Sequence, residues 1–248
     1  MKVLYIDCQS GASGDMMLGA FLNLGVPKEH LEEQLNKLNL EEYSLQVNEK
    51  NVNGEVATDV DVLLNNPEDL MTNPYSGEYR NYRDIKDLIN GSQLSSNIKA
   101  LAHRIFDIKA KAESKVHEVP LDEVKFHEAG AVDSVVDIVG AAICSDYINA
   151  DRIVSRNVPT GYGHVECACG TLTVPVPAVK QILKDTRIPY YRSEIKHEIL
   201  TPTGASIIAG IADDFSDNIP SGRVVKVGYG TGKRKTGLSP LRLALCES

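Results

Sequence analysis

Apolar positions along the chain switch between strand-like runs and helical spacing, and the switches divide it into elements. Val3 to Asp7 is a short apolar run ended by an acid, the pattern of a buried strand. The loop Cys8-Gln9-Ser10-Gly11-Ala12-Ser13-Gly14-Asp15 follows, and Met16 to Leu24 reads as a helix stopped by Gly25 and Pro27. Leu31, Leu35, Leu38 and Leu40 predict a second helix, with Glu29, Glu32 and Glu33 on a solvated face. Leu45 and Val47, then Val56 to Leu64, flank Asn51-Val52-Asn53-Gly54 and predict a hairpin with an Asn-Gly turn. In its second arm Val60, Val62 and Leu64 alternate with Asp59 and Asp61, which are expected to face solvent. Periodicity is lost from Asn65 to Tyr82, the best loop or linker in the chain.

Helical spacing returns over Tyr82 to Ile89, breaks at Gly91 and resumes behind Ser95 with Ile98, Leu101, Ile105, Ile108 and Ala112 on one stripe. Val132, Val135, Val136, Val139 and Ile143 predict an amphipathic helix beginning near Ala131. Asp133 and Asp137, four apart, share one of its faces. At about 100 degrees per residue Gly140 and Cys144 continue that face, leaving it acidic, short-sided and open to a ligand or another backbone. Arg152 to Val158 reads as a strand, and Val165 to Val174 as an extended segment stopped by Pro175. Pro177 can open a helix to Leu183, and Leu200-Thr201-Pro202-Thr203-Gly204-Ala205 feeds a helix through Ile207 to Ile211. Arg223 to Gly228 and Leu241 to Cys246 read as strands around Gly228-Tyr229-Gly230-Thr231-Gly232-Lys233-Arg234-Lys235, a mobile phosphate-touching loop or a basic surface turn. The pattern predicts a mixed α/β fold, one sheet covered by helices, with a helical subdomain or insertion near residues 80–120. No internal repeat is present.

Composition narrows the function. A chain of 248 residues with 42% apolar and 24% charged residues can bury a core. A formal net charge of −8 argues against a nucleic-acid partner and favours cations or small molecules, with room for a local phosphate pocket. No apolar run reaches the roughly 20 residues that span a bilayer, and Asp7 interrupts the start too early for a signal sequence, so a cytoplasmic protein with no membrane partner is expected. Five cysteines, only Cys167 and Cys169 close together, imply reduced thiols. That Cys-x-Cys pair is half a metal site at best.

The chemistry-bearing residues are of two kinds. The Gly/Ser loop at the first helix and the Thr/Gly loop at Thr201 and Thr203 point backbone N–H groups and hydroxyls at a helix mouth, which suits an anion. Helix caps and tight turns account for the same residues, and neither standard nucleotide fingerprint is present. His127, Glu128, Asp133 and Asp137 suit a divalent cation, imidazole favouring nickel or zinc, or an acid/base pair. Cys8 has no base beside it in sequence and is a poor nucleophile candidate.

Several motifs together resemble a known family. Tyr5-Ile6-Asp7-Cys8-Gln9-Ser10-Gly11-Ala12-Ser13-Gly14-Asp15-Met16, Tyr82-Arg83-Asp84-Ile85, the run His127 to Gly140, Val174-Pro175-Val176-Pro177-Ala178, Leu200 to Ala205 and Gly228 to Gly232 closely resemble the LarC-type nickel-insertion proteins of nickel-pincer cofactor synthesis. The resemblance implies a CTP-dependent cyclometallase, of lyase class, that places nickel into pyridinium-3,5-bisthiocarboxylic acid mononucleotide, a phosphorylated pyridinium dithiocarboxylate, in lactate racemase maturation. It implies CTP with a divalent cation, Mg or Mn, as further cofactor. On this reading His127, Glu128, Asp133 and Asp137 do metal or acid/base work, while Ser10, Gly11, Ser13, Gly14, Asp15, Thr201 and Thr203 surround the phosphorylated ligand. The family's usual C-terminal, CTP-linked domain is expected to be absent, so a separate CTP-binding chain is an expected partner and a homo-oligomer the expected assembly. The alternative is a non-catalytic subunit that holds the substrate or delivers nickel; a weaker third is an unrelated sugar-phosphate or nucleotide-binding enzyme. Residues 65–82 contain no histidine, Lys125 stands where the family often has a first histidine, and Cys169 where a His-Gly is common.

Overall fold

A computed structural model of the chain describes residues 1–40, 43–65, 80–126, 132–167, 170–233 and 237–247. The first half of these residues forms β1 (Lys2–Asp7), α1 (Gly14–Leu24), α2 (Lys28–Asn36), β2 (Tyr43–Val52), β3 (Glu55–Leu64), α3 (Tyr82–Gly91), α4 (Ser96–His117) and α5 (Val132–Ile148). The second half forms β4 (Arg152–Ser155), β5 (Val158–Thr160), β6 (Gly163–Cys167), β7 (Gly170–Val174), α6 (Pro177–Thr186), β8 (Tyr190–Arg192), α7 (Pro202–Ile211), β9 (Asp214–Phe215), β10 (Arg223–Thr231) and β11 (Leu241–Glu247). The predicted loop or linker falls mostly outside the described residues.

The main sheet has the order β2-β3-β10-β11-β1-β4-β9 and is mixed. β11 runs antiparallel to both β1 and β10, and β2 antiparallel to β3. β1 with β4, β4 with β9 and β3 with β10 are parallel. Side chains alternate across the sheet, so Leu4 and Ile6 enter the large helical core while Val3 and Tyr5 join a smaller cluster with Val154, Ala244 and Cys246 on the other face. α1 lies on β3, β10 and β11, and α5 packs on α1, α2, α4 and α7. α4 crosses α5, α6 and α7. The mixed α/β architecture agrees with the sequence pattern.

Small residues set how closely α1 sits on the sheet. A Cβ on Gly228 would lie 2.3 Å from the Leu24 nitrogen, one on Gly230 1.9 Å from the Met16 carbonyl oxygen, and one on Gly19 2.2 Å from the Thr58 carbonyl oxygen. These glycines allow backbone-to-backbone packing. Gly228 to Thr231 is therefore not the loop that glycine spacing suggested but the end of β10 beneath α1. The helix predicted from Ala131 begins among the described residues at Val132, yet it is buried nearly all round rather than amphipathic, because helices enclose it on several sides. Its short-sided face does receive another helix: a Cβ on Gly140 would lie 2.8 Å from Leu18 Cδ2. The predicted strand from Arg152 to Val158 is divided, since the chain leaves the main sheet after Ser155 and pairs β5 with β8. Val165 to Val174 is likewise not one extended segment but most of the hairpin β6–β7.

The Tyr82-Arg83-Asp84 segment opens α3 with a reciprocal cap, Asp84 N–H to Asn81 Oδ1 at 3.0 Å and Asn81 N–H to Asp84 Oδ2 at 2.9 Å. Tyr82, buried, donates its hydroxyl to Asp107 on α4.

Candidate functional site

The site is assembled where two loops are tied together. Leaving β1, the chain turns at Gly11, whose φ of +97° favours glycine and whose N–H donates to the Cys8 carbonyl at 2.8 Å. Ala12 N–H then donates to the Ile199 carbonyl at 2.8 Å, and Thr201 N–H to the Ala12 carbonyl at 3.1 Å. These bonds bring the N-terminus of α1 beside that of α7. A Cβ on Gly11 would lie 1.9 Å from the Ile199 oxygen, and one on Gly204 2.2 Å from the Ala12 oxygen, so both glycines serve the joint between the loops. Gly11 is buried and does not line the cleft.

The first two turns of α5 complete the arrangement. Asp137, 5% exposed, lies against Gly14, where a Cβ would come within 1.9 Å of Oδ2. A carboxylate in that position is favoured by the positive end of α1. The three helix entrances border a cleft of about 830 Å³ lined by Ser10, Ser13, Gly14, Asp15, Asp133, Asp137, Thr201 and Thr203. The sequence-selected residues of both kinds, anion-directed loops and carboxylates, thus meet in one place. His127 and Glu128 lie outside the described residues.

Within that cleft the roles differ. Ser13 occupies the cap position of α1 without capping through its side chain; it donates instead to Asp15, which also accepts from Met16 N–H at 2.9 Å. Thr201 does cap α7, accepting from Gly204 N–H at 3.1 Å, as its spacing suggested. Burial pushes the Asp15 carboxyl above its ordinary pKa, against the lowering effects of Ser13, Met16 N–H and Lys233.

The facing wall comes from the β2–β3 hairpin and the segment after β10, including Lys50, Asn53, Lys233 and Pro240. Lys50 pairs with Asp59 at 2.6 Å and Lys233 with Asp61 at 3.1 Å. Partial burial works against the Lys233 charge, but Asp61, followed by Asp133 and Asp15, holds its pKa above the ordinary value. The expectation that Asp59 faces solvent is overturned. It is 1% exposed at the position where β3 pairs with Thr231 of β10, and its Oδ1 has no hydrogen-bond partner among the described residues. Alternation identified the polar face of β3 but not that its far end is covered.

Sequence spacing also missed Lys109. It continues the apolar stripe of α4 four residues after Ile105 and is 4% exposed, so a cation on a helical core stripe was the available signal. Its ammonium donates to Ser134 Oγ at 2.6 Å and to Thr203 Oγ1 at 2.9 Å. A second cleft of about 510 Å³ adjoins the first across Ser10, Asn53 and Pro240, with Asp7, Gln9, Tyr229 and Arg242 on its walls. Cys8 is buried and its thiol is pushed up to about 12 by burial, which agrees with its poor standing as a nucleophile. Cys167 is exposed, while Cys169 lies outside the described residues. Among the described residues no group of three His, Cys, Asp or Glu side chains is placed to hold a metal ion, and no helix is long and apolar enough to cross a membrane.

Fold and cleft together define a mixed α/β protein with a polar cleft in which helix N-termini, lysines and carboxylates face one another. Comparison with known proteins makes this specific: the pattern of the nickel insertion protein family matches residues 4–247, and the chain belongs to that family. A pyridinium-3,5-bisthiocarboxylic acid mononucleotide nickel insertion protein from Acetivibrio thermocellus is 44% identical over 237 residues, 96% of this chain and 58% of the relative. Proteins of the same name from Clostridium kluyveri, 44% identical over 238 residues, and Geobacillus kaustophilus, 41% over 250, cover 94% and 100% of this chain and 59% and 60% of their own lengths. The chain therefore spans about three-fifths of the length of these relatives. No solved structure was found to match.

Proposed function

We propose that this chain works in the insertion of nickel into pyridinium-3,5-bisthiocarboxylic acid mononucleotide, the activity carried in the names of its relatives. The observation that carries the reading is the convergence of the α1 and α7 N-termini and two lysines with three aspartates in one cleft. The helix ends and lysines suit the ligand's phosphate. The carboxylates suit a divalent metal in transit, with nickel as cargo rather than a resident ion.

In this reading Ser10, Ser13, Gly14, Asp15 and Thr203 border the mononucleotide, Gly11 shapes their loop and Thr201 fixes the start of α7. Asp133 and Asp137, with His127 and Glu128 preceding them, receive nickel or move protons. Closing a carbon–nickel bond releases the ring proton as H⁺, and an ionised carboxylate of the cleft, Asp133 or Asp137, is the acceptor we assign. The reading includes a metal-inserting enzyme of lyase class that depends on CTP, as the family resemblance implies. No described residue is assigned to CTP or to its Mg or Mn ion.

Calorimetric titration of nickel into the protein, with and without the mononucleotide, tests the metal assignment. Binding by the wild type and at least about tenfold weaker binding by Asp133→Asn are expected, in line with loss of one charged ligand. No nickel binding by the wild type in either condition would sink it. Because the relatives are longer than the shared span, turnover is measured with this chain alone and with the remaining part of the Acetivibrio thermocellus relative added. Turnover by this chain alone rejects a role limited to holding substrate or delivering nickel.

A further inference from the structure

Lys109 is a buried cation directed at the cleft from behind. It sits on α4 and is 4% exposed, with its ammonium 5.2 Å from the centroid of the Phe126 ring. Its hydrogen-bond partners among the described residues are hydroxyls, Ser134 Oγ at 2.6 Å and Thr203 Oγ1 at 2.9 Å. Ser134 is next to Asp133 in the first turn of α5, and Thr203 is the second residue of α7. Burying an ammonium against neutral partners is costly unless an anion answers it. Thr203 is where that charge reaches the cleft, since its side chain accepts from Lys109 while the residue lines the cavity. A hydroxyl that accepts from an ammonium keeps its own proton to donate. The hydrogen-bond chain is therefore directional, running from Lys109 through Thr203 toward the cavity at the positive end of α7.

We infer that Lys109 is a positioning residue for the phosphorylated ligand: it orients Thr203 Oγ1 to donate to the phosphate, and its buried charge makes the cleft prefer a phosphorylated ligand to the same ligand without phosphate. The inference rests on the reading of this cleft as a mononucleotide site. It differs from a purely structural role, in which Lys109 would only tie α4 to α5 and α7.

The test uses nicotinate mononucleotide and nicotinate riboside, which differ by the phosphate alone, titrated calorimetrically into the wild type, Lys109→Met, Lys109→Arg, Thr203→Val and the Lys109→Met/Thr203→Val double variant. The wild type is expected to prefer the mononucleotide. Lys109→Met should lower that preference by roughly ten- to a hundredfold, the range of a hydrogen bond to a charged group, while riboside affinity holds. Lys109→Arg should restore part of it, and the double variant should be no worse than Lys109→Met, since both changes break one chain. Equal losses for both probes in Lys109→Met, a retained preference, or additive effects in the double variant would overturn the inference. If Lys109→Met does not fold, Thr203→Val decides: a preference left at the wild-type level overturns the inference, and one lost with riboside binding intact supports it. A wild type that binds neither probe, or binds both alike, removes the mononucleotide reading itself, an outcome distinct from an unchanged preference in the variants.

Discussion

Substituting Gly14 by alanine places a Cβ 1.9 Å from Oδ2, 2.2 Å from Cγ and 2.6 Å from Cβ of Asp137. Asp137 is 5% exposed and α5 is held on α1 by the Gly140–Leu18 contact, so neither the side chain nor the helix can retreat freely. Overpacking of this kind costs about 1–3 kcal/mol. Moving the carboxylate off the α1 N-terminus adds about 0.3–1 kcal/mol. In the other direction, alanine gains at most about 1 kcal/mol over glycine in helix propensity. The net expectation is a loss of about 1–3 kcal/mol, which lowers Tm by about 2–4 °C per kcal/mol in a chain of this size. Urea unfolding at neutral pH measures it, together with Asp137→Ala and the double variant. Removing Cγ and Oδ2 relieves the two shortest contacts, so the double variant should show a coupling of about 1 kcal/mol or more. A Gly14→Ala protein as stable as the wild type, with effects additive to those of Asp137→Ala, would refute the account of how α1 and α5 meet at the cleft.

Other outcomes follow from the same geometry. Lys50→Met leaves the Asp59 carboxylate buried without its cation; the exposure of Lys50 reduces the loss to about 1–2 kcal/mol in urea unfolding, and adding Asp59→Asn should return most of it. Gly230→Ala drives a Cβ to 1.9 Å from the Met16 oxygen and should lower the unfolding free energy by about 3 kcal/mol, with little relief from side-chain movement because the obstacle is backbone. The pKa of Asp15 is raised in the folded protein, so its contribution to stability is present in full below the unfolded-state pKa and is lost as pH rises through the folded value. The wild type should therefore gain stability relative to Asp15→Asn as pH falls from neutrality through the carboxylate range, and a difference independent of pH would contradict the burial argument. Native iodoacetamide labelling at pH 8, read by mass spectrometry, should modify exposed Cys167 and spare Cys8, whose thiol burial pushes up to about 12, and Cys144, which burial also pushes up.

The chain's local patterns determined a good deal by themselves. The period of apolar residues and the glycine and proline stops located β1, α1, the Asn-Gly hairpin, α4 and α7, because backbone conformation follows from which side chains must be buried and where the chain must turn. The loop at Ser10 to Asp15 and the carboxylates Asp133 and Asp137 were also legible, since helix mouths and a four-residue spacing leave a signature in sequence. Their convergence was not. It depends on Ala12 and Thr201 bonding across some 190 residues of chain and on Gly14 admitting Asp137. The same limit explains the errors. Asp59 alternates like a solvent-facing residue but is buried where β3 meets β10, and Gly228 and Gly230 look like a flexible loop but belong to a strand under α1. Lys109 reads as one of many lysines on a basic helix until α5 and α7 enclose it. Periodicity records which face of an element is buried. What buries it, and which charges are thereby forced together, is decided only when distant segments pack.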